Sequence, residues 1–182
     1  MAFRSSLVLP LLSSLLLPLT AGCGGASSGS VTSAIHFDAC RPLALTVGAG
    51  TSADREAGVR GAVDLWNQAA GTRLSVIPAG AAPAVEADGT STPTLPVGFE
   101  AAAAPSHGFY DPALARVLIN DDLSARPLAV TIAHEVGHAF GLVHVSGRPS
   151  VMNPGNLDVE PNAGDVAALA GLWGQCDGGP SE

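Results

Sequence analysis

The sequence contains no lysine: all eight basic residues among its 182 are arginines, which excludes a lysine nucleophile or a Schiff base. Sixteen acidic residues outnumber them, giving a net charge of −8. Without a basic stripe to contact a phosphate backbone, we expect no nucleic-acid partner. Aromatic residues make up 4% of the chain, so its core must be built from small and aliphatic side chains. The length suits one ordinary domain.

Cysteine is also scarce, and the first of the three marks the end of an export signal. Residues 1–22 combine Arg4 with an apolar run that is too short to span a bilayer, which is typical of a secretory signal. The run ends in LTAGC, which resembles a bacterial lipobox with Cys23 as the lipidated residue, although Thr20 stands where an aliphatic residue is usual. We therefore predict an exported, cell-envelope lipoprotein, with a freely secreted protein as the alternative.

The other two cysteines, Cys40 and Cys176, form an even pair in a protein predicted to be exported, which favours a disulfide. In the chain-entropy model a bridge over so long a loop stabilises by roughly 4–5 kcal/mol. The polar segment at residues 23–35 is predicted to be a flexible tether. The folded domain is expected at residues 36–177, followed by a disordered tail at residues 178–182.

Hydrophobic periodicity predicts the regular elements of this domain. Strands are expected at residues 42–47, 72–78 and 116–120, and helices at residues 54–70, 127–140 and 163–173. Asn162 and Asp165 would form a capping box at the start of the last helix. Residues 79–106, rich in Ala, Pro, Gly and Thr, are expected to form a surface loop, with one strand near residues 84–88.

Three of the five histidines lie within the stretch HEVGHAFGLVH. His134 and His138 are four residues apart on the predicted helix, so both can reach one metal ion. Glu135 lies about 100° round the helix, close enough to touch a water at the metal. Gly141 permits a sharp turn at positive φ that would bring His144 back towards the ion. Three imidazoles and an open position are typical of a catalytic zinc site.

The stretch resembles the zinc signature HExxHxxGxxH of the metzincin metallopeptidases. SVMNP, at residues 150–154, is similar to the tight turn that carries a methionine beneath the metal in that family, with Met152 as the methionine. NAGDVAALAGLWG, at residues 162–174, is similar to the last helix of matrixins and their small bacterial relatives. The resemblance implies an α+β fold: a twisted mixed sheet with an N-terminal helix and the zinc helix packed on it, and a small C-terminal subdomain with the Met-turn and the last helix.

The resemblance implies a zinc-dependent endopeptidase that acts on protein or peptide substrates. Its metal ligands would be His134, His138 and His144, and Glu135 would act as general base and then general acid. The strand at Arg116–Asn120 is expected to be the edge strand on which an extended substrate pairs, with an internal strand as the alternative. The loop near residues 154–156 is expected to set the side-chain preference. We expect a monomer that contacts the membrane only through its lipid anchor.

Two other functions were compared with this hypothesis. A non-enzymatic zinc lipoprotein could bind peptides or a surface partner on the same fold, but it would not need Glu135. A structural zinc site would require a fourth protein ligand, for which Asp158 is the nearest candidate.

The remaining metal-ligating residue types are predicted to have no metal role. His36 and His107 are expected to be surface residues, because two histidines are too few for a second, structural zinc site. Asp111, Asp121 and Asp122 carry the oxygen ligands that calcium prefers, but solvated loop acids are the favoured interpretation.

Overall fold

The computed structural model describes residue 34 and residues 36–85, 89–101 and 107–177. The predicted signal, Cys23 and the predicted tail lie outside the described residues. In chain order the regular elements are β1 (Leu43–Val47), α1 (Ala53–Ala70), β2 (Leu74–Ile77), β3 (Thr94–Glu100), β4 (Gly108–Asp111), β5 (Arg116–Asn120), α2 (Ala125–Ala139) and α3 (Ala163–Trp173). None of the helices described here is long and apolar enough to cross a membrane.

The sheet has five strands in the order β2-β1-β3-β5-β4. The first four are parallel to their neighbours, and β4 runs antiparallel to β5. Helices α1 and α2 pack against each other and against the sheet. This confirms the predicted mixed sheet with an N-terminal helix and the histidine-bearing helix packed on it.

The predicted edge strand is in fact internal. β5 pairs with β3 on one side and with β4 on the other, so among the described strands the edge on this side of the sheet is β4. β4 was not predicted from the sequence, because it has only four residues and begins with a glycine. The turn to β5 is held by the carboxylate of Asp111, which accepts hydrogen bonds from the amides of Ala113 and Leu114 at 3.0 and 3.1 Å. The prediction for Arg116–Asn120 was therefore right as a strand and wrong as an edge.

The predicted surface loop at residues 79–106 contains a second unpredicted strand, β3. Its sequence TLPVGFE includes Pro96 and Gly98, which indicate a loop when read locally. Pairing with β1 and β5 on its two sides overrides that preference. The strand predicted near residues 84–88 is only an isolated bridge between Val85 and Ser91, and residues 86–88 lie outside the described part.

Helix α2 runs through the middle of the core. Its residues from Leu128 to Ala139 are buried on almost all sides, which is typical of a helix enclosed by protein. The indole N–H of Trp66 on α1 donates to the carbonyl of Ala133 at 2.8 Å, and its ring packs edge-on against Phe140 at 5.9 Å. The histidine-bearing helix is therefore fixed to α1 in the buried interior.

The two ends of the domain meet at the C-terminal end of α2. Cys40 and Cys176 form a disulfide, with their Cα atoms 4.9 Å apart. The amide of Phe37 donates to the carbonyl of Ala139 at 2.8 Å, and the indole of Trp173 donates to the carbonyl of Phe140 at 2.8 Å. The last helix begins with the predicted capping box of Asn162 and Asp165.

Candidate metal centre

The first two histidines of the stretch lie one turn apart on α2. His134 is buried and His138 is half-buried, since the second lies nearer the end of the helix. The turn after α2 is made by Gly141, whose φ of 93° favours glycine. After it, the amide of Leu142 returns to the carbonyl of Gly137 at 2.9 Å. The chain therefore doubles back, as predicted from Gly141.

His144 approaches from outside the helix and is exposed. Its Nε2 lies 3.1 Å from Nε2 of His134 and 3.2 Å from Nε2 of His138. Three nitrogens bound to one tetrahedral zinc ion at 2.0–2.1 Å would be about 3.3 Å apart, so this spacing matches a zinc site. Within the described residues, the only cluster of potential metal ligands consists of these three histidines.

Hydrogen bonds on the far side of the rings set which nitrogens face one another. Nδ1 of His134 lies 2.6 Å from the carbonyl of Val151, and Nδ1 of His138 lies 2.8 Å from the carbonyl of Leu142. A carbonyl only accepts, so each Nδ1 carries the proton and each Nε2 presents a lone pair to the centre. A proton on Nε2 of His144 could bond only one of these two lone pairs. A cation would bind the Nε2 atoms of all three histidines. The residues present therefore fit a metal ion.

Burial keeps the ligands in the neutral form that a metal requires. Burial lowers the pKa of His134 from 6.5 to about 4, against the opposing effect of its hydrogen bond to Val151. The neighbouring His138 and His144 lower this pKa further. Burial likewise lowers the pKa of His138. Both imidazoles are thus unprotonated at neutral pH and ready to bind a cation.

Glu135 points from α2 towards the edge strand and is 5% exposed. Burial raises the pKa of its carboxyl from 4.5 to about 7, and a hydrogen bond from the backbone N–H of Tyr110 partly opposes this shift. A Cβ on residue 108 would lie 2.9 Å from the Glu135 Oε1, so Gly108 is what lets the carboxyl lie against β4. The carboxyl is therefore held in the cavity lined by His134 and His144, with its pKa raised towards neutral pH.

Met152 packs against α2 at Gly137, between His134 and His138. It is 2% exposed, and a Cβ on residue 137 would lie 2.4 Å from its sulfur, so the sulfur packs directly on Gly137. The amide of Val145 donates to the carbonyl of Met152 at 3.1 Å, which ties the segment bearing His144 to the methionine turn.

The residue that holds this turn was predicted only as part of a helix cap. The carboxylate of Asp165, 1% exposed, accepts hydrogen bonds from the hydroxyl of Ser150 and from the amides of Val151 and Asn162, the amides at 3.0 and 3.2 Å. Arg148 pairs with it at 3.3 Å. Since Val151 also accepts the hydrogen bond from His134, Asp165 positions His134 through the backbone. The capping box was the one sequence signal that pointed to it.

A cavity of about 170 Å³ opens beside the three histidines. Its lining includes His107 and Gly108 at the edge strand and residues 154–156 after the methionine turn. His107 was predicted to be a surface residue, but it is half-buried and lines this cavity. His107 reaches the cavity wall because it immediately precedes β4, a strand that was not predicted from the sequence. The loop expected to set the side-chain preference does line the cavity.

Other residues considered from the sequence lie outside the centre. Asp158 is exposed and does not belong to the histidine cluster. His36 is exposed, with its Nδ1 3.3 Å from the carbonyl of His138. Two of the three acids considered for calcium pair with arginines: Asp111 with Arg116 at 3.4 Å, and Asp121 with an arginine of α1 at 3.5 Å.

Comparisons with known proteins show a distant likeness to solved structures. No family model matches the sequence, and no curated protein matches it. Among solved structures, the chain is similar to metalloproteinase-II from Bacteroides fragilis, at 13% sequence identity and a TM-score of 0.45. The match covers 77% of this chain and 55% of that one, so the chain spans about half the length of that protein.

Proposed function

We propose that the protein is a zinc-dependent endopeptidase, as its histidine pattern suggested. The observation that carries the proposal is the convergence of three Nε2 atoms beside the buried carboxyl of Glu135. The metal would be held by His134, His138 and His144. When bound, zinc supplies Lewis acidity, which lowers the pKa of water towards about 7 and polarises a peptide carbonyl.

Glu135 would perform the proton transfers. Its carboxylate would take a proton from the attacking water and deliver it to the nitrogen of the leaving amine. The backbone N–H of Tyr110 orients the carboxyl, and burial keeps its pKa near 7, so that it can both accept and release a proton. No serine or cysteine nucleophile is needed for this reaction.

An extended peptide would bind along β4, since that strand forms the free edge of the sheet next to the cavity. β4 thus takes the substrate-pairing role that was first predicted for β5. Backbone hydrogen bonds to β4, apart from the Tyr110 N–H that donates to Glu135, would place the scissile carbonyl beside the metal. One substrate side chain would then enter the cavity between β4 and residues 154–156.

We further propose that the enzyme is exported, and the disulfide between Cys40 and Cys176 supports this. Lipidation of Cys23 stays a prediction. Mass spectrometry of the mature N-terminus would test it.

The direct test incubates the protein, loaded with one equivalent of zinc, with a diverse peptide pool and identifies the products by mass spectrometry. Glu135→Ala is run beside it, with Glu100→Ala as the matched control, because Glu100 is exposed and lies outside the cavity wall. We expect cleavage by the wild type and the control. Glu135→Ala should bind zinc and leave the peptides intact.

Two results would contradict the proposal. Zinc binding without cleavage of any peptide would favour the non-enzymatic binding protein. Equal cleavage by wild type and Glu135→Ala would remove the assigned role of the carboxyl. Loss of zinc binding in His138→Gln, measured by chelator competition, checks the ligand set independently of activity.

A further inference from the structure

The hydrogen-bond pattern of β4 shows which of its backbone groups point away from the sheet. The amide of Asn120 donates to the carbonyl of His107 at 2.9 Å, so these two residues form a hydrogen-bonded pair. Such pairs alternate with non-hydrogen-bonded pairs along an antiparallel ladder. Gly108 and Tyr110 therefore turn their backbone groups away from β5. The hydrogen bond from the Tyr110 N–H to Glu135 agrees with this pattern, since that amide is not used by β5.

Phe109 lies between these two outward-facing residues, and its side chain is on the other face of the sheet. Successive side chains of a strand point to opposite faces. A Cβ on residue 108 would lie 2.9 Å from Oε1 of Glu135 and 3.0 Å from the methyl carbon of Thr131, so position 108 faces α2. Tyr110 faces the same way and is buried. Phe109 therefore points away from the helices.

The Phe109 ring is 55% exposed at the end of an apolar row that crosses three strands. Its partner on β5 is Leu118, which is half-buried and is paired in turn with Gly98 of β3. A Cβ on residue 98 would lie 3.1 Å from a methyl carbon of Leu118, so the leucine packs on bare backbone there. Among the described strands, the row of Gly98, Leu118 and Phe109 thus ends in an exposed ring at the edge.

A peptide strand added along β4 would place one of its side chains next in this row. Directly opposite residues of neighbouring strands share a face, with Cβ atoms about 4.5–5.5 Å apart in an antiparallel pair. The peptide residue opposite Gly108 would point towards the cavity, which Gly108 lines, and its neighbour in the peptide would lie against Phe109. An apolar side chain would cover the exposed ring, whereas a polar one would lose hydration against it.

We propose that Phe109 makes the enzyme selective for extended substrates with a large apolar residue, such as leucine, isoleucine or phenylalanine, directly beside the residue whose side chain enters the cavity. The inference rests on the proposed peptidase function, since it names the substrate class of the same site. Because Phe109 faces away from Glu135, it acts on peptide binding and not on the proton transfers.

The test uses peptides that differ at one residue. Peptides cleaved in the pool define the scissile bond, and pairs with Leu or Asn, and with Val or Thr, are made at each of the two residues on both sides of it. At one of these positions, wild-type kcat/KM should favour the apolar member roughly two- to fivefold, and Phe109→Thr should abolish this ratio. Phe109→Leu should keep it. Any preference set by the cavity should be the same in Phe109→Thr and in the wild type.

Leu114→Thr is the matched control, because Leu114 is 62% exposed and lies in the turn between β4 and β5 rather than on the edge strand. Its ratios should equal those of the wild type. Phe109→Thr should unfold at nearly the wild-type temperature, since the ring is more than half exposed and threonine suits a strand. Each ratio is also internal to one enzyme, so a general loss of activity does not affect it.

Calorimetric titration measures the selectivity without cleavage. The same peptide pairs are titrated into zinc-loaded Glu135→Gln, where binding should show the same apolar preference. Adding Phe109→Thr to this variant should remove the preference. If the wild type cleaves no peptide, the pairs are built at each position of a pool peptide that the zinc-loaded protein retains.

The outcomes separate the two proposals. Cleavage without an apolar preference, or with a preference that survives Phe109→Thr or is lost equally in Leu114→Thr, overturns this inference and leaves the peptidase standing. An apolar binding preference that depends on Phe109, without any cleavage by the wild type, overturns the peptidase and keeps the selectivity. Neither cleavage nor binding of any peptide overturns both.

Discussion

Replacing Asp165 with asparagine would weaken the hold on the turn that carries Met152. The carboxylate is 1% exposed and accepts hydrogen bonds from Ser150, Val151 and Asn162. Asparagine keeps the shape and one accepting oxygen but places an NH₂ group opposite one of these donors. The substitution therefore tests the hydrogen bonding of the carboxylate without opening a cavity.

The magnitude follows from the number and burial of these bonds. A hydrogen bond to a charged group contributes about 1.5–3 kcal/mol, and leaving a buried donor unpaired costs a similar amount. The pair with Arg148 adds less, because the arginine side chain is 38% exposed. We expect Asp165→Asn to lower the free energy of unfolding by about 2–3 kcal/mol, and Asp165→Ala by about 3–5 kcal/mol.

Metal affinity should fall together with stability. The amide of Val151 donates to Asp165, and its carbonyl lies 2.6 Å from Nδ1 of His134. Loss of such an outer hydrogen bond to a metal-binding histidine typically weakens metal affinity 10–100-fold. We expect Asp165→Asn to weaken zinc binding about tenfold.

Urea unfolding of the protein after metal removal by a chelator measures the loss of stability. Competition with a chromophoric chelator measures the loss of zinc affinity. Asp64→Asn is the matched control, because Asp64 is exposed on α1. If Asp165→Asn matched this control in both assays, the assigned hold on the turn would be refuted. A loss of stability with unchanged zinc affinity would refute the link to His134 alone.

Three further results are expected. Gly137→Ala would place its Cβ 2.4 Å from the Met152 sulfur, so it should destabilise the fold by about 1–3 kcal/mol in urea and weaken zinc binding. In the metal-free protein the pKa of Glu135 rises from 4.5 to about 7, so the folded state holds a proton that the unfolded chain releases. Stability from this group therefore falls as pH rises through that window, and Glu135→Gln should gain up to about 3 kcal/mol over the wild type above pH 7 and nothing below pH 4.5. Replacing both Cys40 and Cys176 with serine should cost roughly 4 kcal/mol in the same urea assay.

Each of these expectations has a control or an excluding result. Gly171→Ala on α3 meets no atom within 4 Å, so it should be neutral or stabilising, and equal losses at residues 137 and 171 would exclude the methionine contact. The Glu135 effect is taken as the difference between wild type and variant at each pH, because the lowered pKa of His134 acts on both proteins. If the difference in unfolding free energy between wild type and Glu135→Gln did not change with pH, the raised pKa of the buried Glu135 carboxyl would be contradicted. An unchanged urea midpoint without the disulfide would contradict the loop-closure argument.

The sequence predicted elements whose signals are local. Helix α1 was recognised by its hydrophobic periodicity, and the helix carrying His134 by the spacing of its histidines. The last helix was recognised by the capping box of Asn162 and Asp165. Each of these signals lies within about one helical turn or within one helix, so no tertiary information was needed.

Features that depend on pairing across the sheet could not be predicted in this way. β3 contains Pro96 and Gly98, and its strand character comes from neighbours on both sides. Because β4 was missed, β5 was taken as the edge, and His107 was left on the surface.

The three histidines are positioned by contacts that do not involve a metal. α2 is fixed through the Trp66 indole, the segment with His144 through the backbone of Met152, and the turn through Asp165. These contacts hold Nε2 of His144 within 3.2 Å of Nε2 of both His134 and His138, an arrangement that costs free energy until a cation binds between them. The cost is met by folding rather than by binding, so metal affinity is gained through preorganisation.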